Sequence, residues 1–195
     1  MGKSRLEAFS DGVIAVIITV IVLEFKVPAG GELSSLVELV PTFFSYVLSF
    51  VFVAIYWNNH HHMLHTVARV NGAILWANLH LLFWLSLVPF ATAWMAEHRF
   101  ASAPTLVYGV ILLMSALAYT ILQSTVIRLH GRESTLAQAV GGDRKGKLSL
   151  ACYAVAILLA PWQPYASLAL YVLVACLWFV PDRRIERVVG ETPAG

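Results

Sequence analysis

The stretch PTLVYGVILLMSALAYTILQSTVI, residues 104–127, runs without a single Asp, Glu, Lys or Arg. A helix crossing the hydrocarbon of a bilayer needs about 20 mostly apolar residues, so this segment reads as a membrane span. Working outward, comparable segments occur at 6–25, 37–64 and 73–95 on one side and at 148–161 and 164–180 on the other. Loop signals separate them: Pro28-Ala29-Gly30-Gly31, Arg69 to Gly72, Glu97 to Pro104, the polar stretch Arg128 to Lys147, and Pro161-Trp162-Gln163-Pro164. The fifth segment is short and ends in proline; two short tilted helices are favoured there over a re-entrant hairpin. The expected fold is an all-α polytopic membrane protein with six transmembrane helices in one domain over 1–195.

Composition points the same way. Of the 195 residues 59% are hydrophobic and 12% charged, about half the charge of a soluble domain, so too little polar surface exists to cover a water-soluble globule. The net charge of +2 gives no basic face for nucleic acid. Cys152 and Cys176 both lie in apolar segments and form no CxxC spacing, so they read as buried free thiols. The N-terminus lacks a cleavage pattern, which makes the first segment a retained helix. Met1-Gly2 does not continue into a myristoylation motif, because position 6 is Leu6.

Lys and Arg orient the spans, since loops on the cytoplasmic side carry them in excess. With the N-terminus inside, Lys3, Arg5, Arg69, Arg128, Arg132, Arg144, Lys145, Lys147, Arg183, Arg184 and Arg187 are cytoplasmic, leaving Lys26 and Arg99 outside. Both termini are then cytoplasmic. Trp57, Trp94, Trp162 and Trp178 fall near span ends, where an amphipathic ring suits the interface, while Trp76 and Trp84 fall deeper and are expected between helices. No repeat of the first segment occurs later in the chain.

The first span carries Arg5, Glu7, Ser10, Asp11, Thr19 and Glu24 in or beside it. Ionisable groups within a span are costly and mark functional candidates. Arg5, Glu7 and Glu24 lie near its ends, within reach of water. Asp11 is nearly two turns past Arg5, about 9 Å of helix rise, and is expected to meet a partner on another helix. At 100° per residue, Gly12, Val16, Thr19, Val20 and Leu23 share one face; by periodicity alone this is an ordinary packing surface.

The string Arg5-Leu6-Glu7-Ala8-Phe9-Ser10-Asp11-Gly12, followed by Ala15, Thr19 and Leu23-Glu24, resembles the RxxxFSD signature that opens the first helix of the endolysosomal potassium channel family and its prokaryotic relatives. The likeness extends to the six-span layout and to Trp57-Asn58-Asn59-His60-His61. It implies a potassium-permeable cation channel, not an enzyme, in the plasma membrane of a prokaryote. It further implies a homotetramer of single-repeat subunits whose first helices line the pore. Val16, Thr19, Val20 and Leu23 then form the constriction and selectivity layers. The family places a bulky aliphatic side chain seven residues after the signature phenylalanine; the valine found there implies a wider narrow point. Arg5, Phe9, Ser10, Asp11 and His80 are expected to form a network bracing the pore helix. No TVGYG-like loop is present, so carbonyl coordination is not the mechanism; an aliphatic ring that dewets, with Thr19 hydroxyls replacing part of an ion's hydration shell, is.

His60, His61, His62 and His65 raise a metal hypothesis, as His61 and His65 share a face at i, i+4. No acidic or thiol ligand accompanies them and HExxH is absent, so a helix-end cluster is the preferred reading, and neither metal nor cofactor is expected beyond permeating potassium. Histidine titration also makes the cluster a candidate pH sensor. The competing function is a proton-coupled secondary transporter using Asp11 or Glu24, which would normally show inverted repeats or broken helices; no such repeats occur. The expected partners are further copies of the chain and the lipid bilayer.

Overall fold

The computed structural model describes residues 2–28 and 30–179; Arg183, Arg184, Arg187 and the last residue of the sixth expected span lie outside them. Helix α1 covers Lys3–Val22. A 3-10 segment, Leu33–Leu39, leads into α2, Val40–His65, with Pro41 in the first turn, where its missing N–H costs nothing. Next come α3, Gly72–Ser86, and α4, Val88–Glu97. These two form one rod broken at Leu87, because Pro89 cannot donate to the carbonyl four residues earlier and its ring crowds that carbonyl. Helix α5 covers Ser102–His130, α6 Thr135–Val140, α7 Arg144–Leu159 and α8 Pro164–Phe179. The short helix α6 falls in the polar stretch that the sequence marks as loop; the Ser134 hydroxyl starts it by accepting from Ala137 N.

Among the described residues these elements make six rods, antiparallel in sequence. The rods at 33–65, 72–97 and 102–130 are long and apolar enough to cross a bilayer unaided. The 16 residues of α7 and of α8 amount to about 24 Å each, short of a hydrocarbon core of about 30 Å. The two pair with each other along their lengths. At one end Trp178 Nε1 donates to Ser149 Oγ at 2.8 Å, and at the other Ser167 Oγ donates to Ala156 O at 2.7 Å and Ser102 Oγ to Pro161 O at 3.3 Å.

The two ends of the bundle differ in charge. Lys3 meets the C-terminus of α2, its Nζ donating to His65 O at 2.9 Å, and the same end holds the α2–α3 turn and the α5–α7 connection. Of the ten described Lys and Arg, all but Lys26 and Arg99 belong to this basic end. At the opposite end Lys26 pairs with Glu97 at 3.2 Å. Arg99 and Phe100 turn the chain there with positive φ, 48° and 61°, and the Phe100 ring lies against Phe44 and Tyr165.

His130 closes the basic end. Its Nδ1–H donates to Val126 O at 3.0 Å, leaving Nε2 to accept from the backbone N–H groups of Ala68 and Arg69 at 3.1 and 3.2 Å. Small residues let the rods approach, as usual where lipid gives no hydrophobic push. At Gly109 of α5 a Cβ would collide with the hydroxyl of Tyr171 on α8, which reaches past the glycine to donate to Thr105 O at 3.1 Å. A buried hydroxyl cluster joins α2, α4 and α5: Ser49 Oγ lies 2.6 Å from Thr92 Oγ1 and 3.0 Å from Tyr108 Oη.

Candidate functional site

Helix α1 is two-faced. Leu6, Ser10, Ile14, Ile17 and Ile21, spaced three or four apart, are buried against α2, α3 and α4. The opposite face carries Gly12, Val16, Thr19 and Leu23, all exposed; Val16 is 60% and Leu23 76% accessible. Val20 flanks this stripe and is half-buried, and Phe9 continues it toward the N-terminus at 48% exposure. The Thr19 hydroxyl bonds back to Ala15 O and Val16 O, both at 3.0 Å. Its proton is thus committed to the helix, and the lone pairs of its oxygen face outward. An acceptor presented this way suits a cation.

The buried face is held by a polar chain across three helices. Ser10 Oγ donates to Leu6 O at 2.8 Å and accepts from Asn78 Nδ2 of α3 at 2.9 Å. Asn78 Oδ1 in turn lies 2.7 Å from His60 Nε2 of α2. Since the Asn78 amide nitrogen donates to Ser10, its oxygen is the acceptor and His60 the donor. Ser10 and Asn78 are wholly buried and His60 is 1% exposed. Such a chain holds α1 at a fixed rotation, because turning the helix would strand buried polar atoms, at about 1–3 kcal/mol each.

At the next residue of α1, Asp11 Oδ1 accepts from Trp57 Nε1 at 3.0 Å. The Trp57 ring stacks on His61, centroids 5.8 Å apart and planes 25° apart. The His61 ring then meets those of His62 and His65 edge-on. No group of three potential ligands suited to a metal ion occurs among the described residues. Arg5 is exposed and has no partner among the described residues. His80 accepts from Trp84 Nε1 at 2.9 Å within its own rod and does not reach the Ser10 chain. Lys3 pairs with Glu7 at 3.8 Å. Glu24 lies exposed beyond the end of α1.

Three residues of this arrangement are not among those the sequence singles out as site residues. Asn78 is the lone amide in an apolar span, and that polarity was the available signal. At 100° per residue it stands about 200° from His80, so the two cannot serve one face; Asn78 shares the buried side with Ile74, Leu81 and Leu85. His60 opens a run of three histidines with His65 close behind, and only burial separates it from them. Trp57 reads as an interface ring and is also the donor to Asp11.

The fold and site define a polytopic α-helical membrane protein whose first helix is clamped by polar bonds on one side and bare along the other. A model of the family described as the endosomal/lysosomal potassium channel TMEM175 matches residues 5–89, the part containing α1, α2, α3 and the Pro89 break. Over 191 residues the chain is 51% identical to a potassium channel of Chryseobacterium sp. (strain P1-3), covering 98% of this chain and 100% of that one. A potassium channel of Streptomyces collinus is 39% identical over 125 residues, 60% of this chain and 61% of the relative. The fold is similar to the crystal structure of a lysosomal potassium-selective channel TMEM175 homolog from Chamaesiphon minutus, with a TM-score of 0.80, 30% identity, and coverage of 92% of this chain and 97% of that one. The chain belongs to the TMEM175 family, whose members named here are channels and not enzymes.

Proposed function

We propose that the chain is the subunit of a homotetrameric, potassium-permeable cation channel. The bare stripe of α1 lines its pore: Val16 forms the aliphatic constriction, with Val20 and Leu23 as further apolar layers, and Thr19 presents a hydroxyl ring. The observation that carries this reading is the contrast between the two sides of α1. The exposed side runs from Phe9 to Leu23 and carries the Thr19 hydroxyl oxygen among small and aliphatic residues, opposite the face fixed by the Ser10–Asn78–His60 chain. An aliphatic ring narrow enough to dewet blocks ions, and a modest widening admits water and cation together. Thr19 oxygens, with their protons held by the helix, then replace part of the hydration shell. Arg5, Phe9, Ser10 and Asp11 serve as supports: Ser10 and Asp11 through their bonds to α3 and α2, Arg5 and Phe9 by lying toward neighbouring subunits. His80 supports α3 through Trp84.

The subunit sits in the plasma membrane of a prokaryote with its basic end and both termini in the cytoplasm, in line with the asymmetry of Lys and Arg. Proton-coupled transport through Asp11 or Glu24 is less well supported, because the Asp11 carboxylate is tied to Trp57 and Glu24 lies outside the helix. The test is potassium flux into liposomes containing the native protein, Val16→Asn or Thr19→Ala. Faster flux for Val16→Asn and altered ion preference for Thr19→Ala are expected; native flux from both variants would return α1 to a packing role.

A further inference from the structure

A cavity lined from α2, α5, α7 and the α6–α7 connection has no part in the channel reading. It measures about 130 Å3, and a second hollow of about 220 Å3 extends along α2 and α8, sharing Ile55, Asn59 and Trp178 with the first. Together they approach the size of a small-ligand site.

Two features show that the first cavity is built for a polar guest. Tyr56 and Tyr153 line it, only 9% and 3% exposed. Neither hydroxyl has a hydrogen-bond partner among the described residues, and neither is sealed off as Ser45, Thr105 and Ser115 are. Two buried phenol donors thus open onto one void. The charge there is also biased. Asp143 spends its carboxylate on Gly146 N, capping α7, and Lys145 lies over the Trp178 ring at 5.9 Å. Arg144 lines the same cavity, exposed and without a partner among the described residues. The second hollow differs in charge: it is walled by Phe50, Val51, Ala54, Ile55, Trp178 and Phe179, with the neutral amides of Asn58 and Asn59 as its polar groups and no ionisable side chain.

We propose that this pair of cavities binds one anionic phospholipid, its phosphate at Arg144 and the Tyr56 and Tyr153 hydroxyls and an acyl chain in the hollow between α2 and α8. The charge changes along the site as it does along a lipid, from a cavity at the basic end that holds Arg144 and two phenols to an uncharged groove with aromatic and aliphatic walls at the flank. Basic pockets between spans bind anionic headgroups for this reason. A free phosphate would use the cavity at Arg144 and leave the uncharged hollow without an occupant.

The experiment titrates the full chain in detergent with dioctanoyl phosphatidylglycerol, dioctanoyl phosphatidylcholine or inorganic phosphate, reading the thermal unfolding midpoint, which rises when a ligand binds the folded state alone. Phosphatidylglycerol is expected to raise the midpoint well above the other two. Arg144→Ala should weaken its apparent Kd by about tenfold, as expected for one charged hydrogen bond. The double variant Tyr56→Phe/Tyr153→Phe, which keeps both rings, should weaken it several-fold. Arg132→Ala, at the same end but outside the cavity, should bind as the native chain does. An equal response to phosphatidylcholine, comparable binding of inorganic phosphate, or native affinity in the tyrosine double variant would each overturn the proposal. Arg144 is exposed and its loss does not threaten folding, so its result stands even if the tyrosine variant is unstable.

Discussion

Replacing Asn78 with leucine removes the central link between α1, α2 and α3 while keeping a side chain of four heavy atoms branched at Cγ. Ser10 keeps its bond to Leu6 O and loses only an incoming donor. His60 fares worse, because its Nε2–H, 1% exposed, has no acceptor besides Asn78 among the described residues. A stranded buried donor costs about 1–3 kcal/mol, but interhelical bonds within membranes average only about 0.6 kcal/mol. The expected loss for Asn78→Leu is therefore about 1–2 kcal/mol, most of it from His60. A double-mutant cycle with Ser10→Ala should give a coupling of about 0.5–1.5 kcal/mol, because the two residues share one bond. Unfolding in mixed micelles, followed by far-ultraviolet circular dichroism, measures both quantities. Stability for Asn78→Leu within about 0.3 kcal/mol of native, or strict additivity with Ser10→Ala, would refute the claim that this chain fixes the rotation of α1.

Two further outcomes follow from the packing. Gly109→Ala places a methyl against the Tyr171 hydroxyl and should lower stability by about 1–3 kcal/mol; adding Tyr171→Phe should restore part of the loss, and no rescue in the same unfolding assay would rule out that contact as the cause. Lys26→Ala breaks the Glu97 ion pair, but with side chains 83% and 65% exposed the change should stay below about 0.5 kcal/mol, and a larger loss would mean that the pair is shielded from water.

The helical membrane fold was legible because its signal is additive: any long uncharged run such as 104–127 registers regardless of its neighbours. The ends of the rods were less so. The α3–α4 break follows from Pro89, a residue visible in the sequence, yet whether a proline kinks a span or ends it depends on what packs behind it. The extension of α5 to His130 rests on backbone donors from residues 68 and 69, which no local pattern announces. On the first helix, periodicity grouped Gly12, Val16, Thr19, Val20 and Leu23 on one face, and all but the half-buried Val20 are exposed. It could not say whether that stripe faces its own bundle, since small apolar residues suit either situation. Partners across helices were the least legible. Choosing His80 over Asn78 meant choosing between two polar residues of one span, and only their angular position relative to α1, a tertiary fact, separates them.

The clamp at His130 has a consequence for assembly in time. The turn after α2 lies among the first 70 residues to leave the ribosome, yet the ring that satisfies its two amides is made about 60 residues later. Until then the amides of residues 68 and 69 lack this acceptor. The turn that joins α2 to α3 therefore gains its last two backbone hydrogen bonds only when α5 is made, although α1 already has its own partners in α2, α3 and α4.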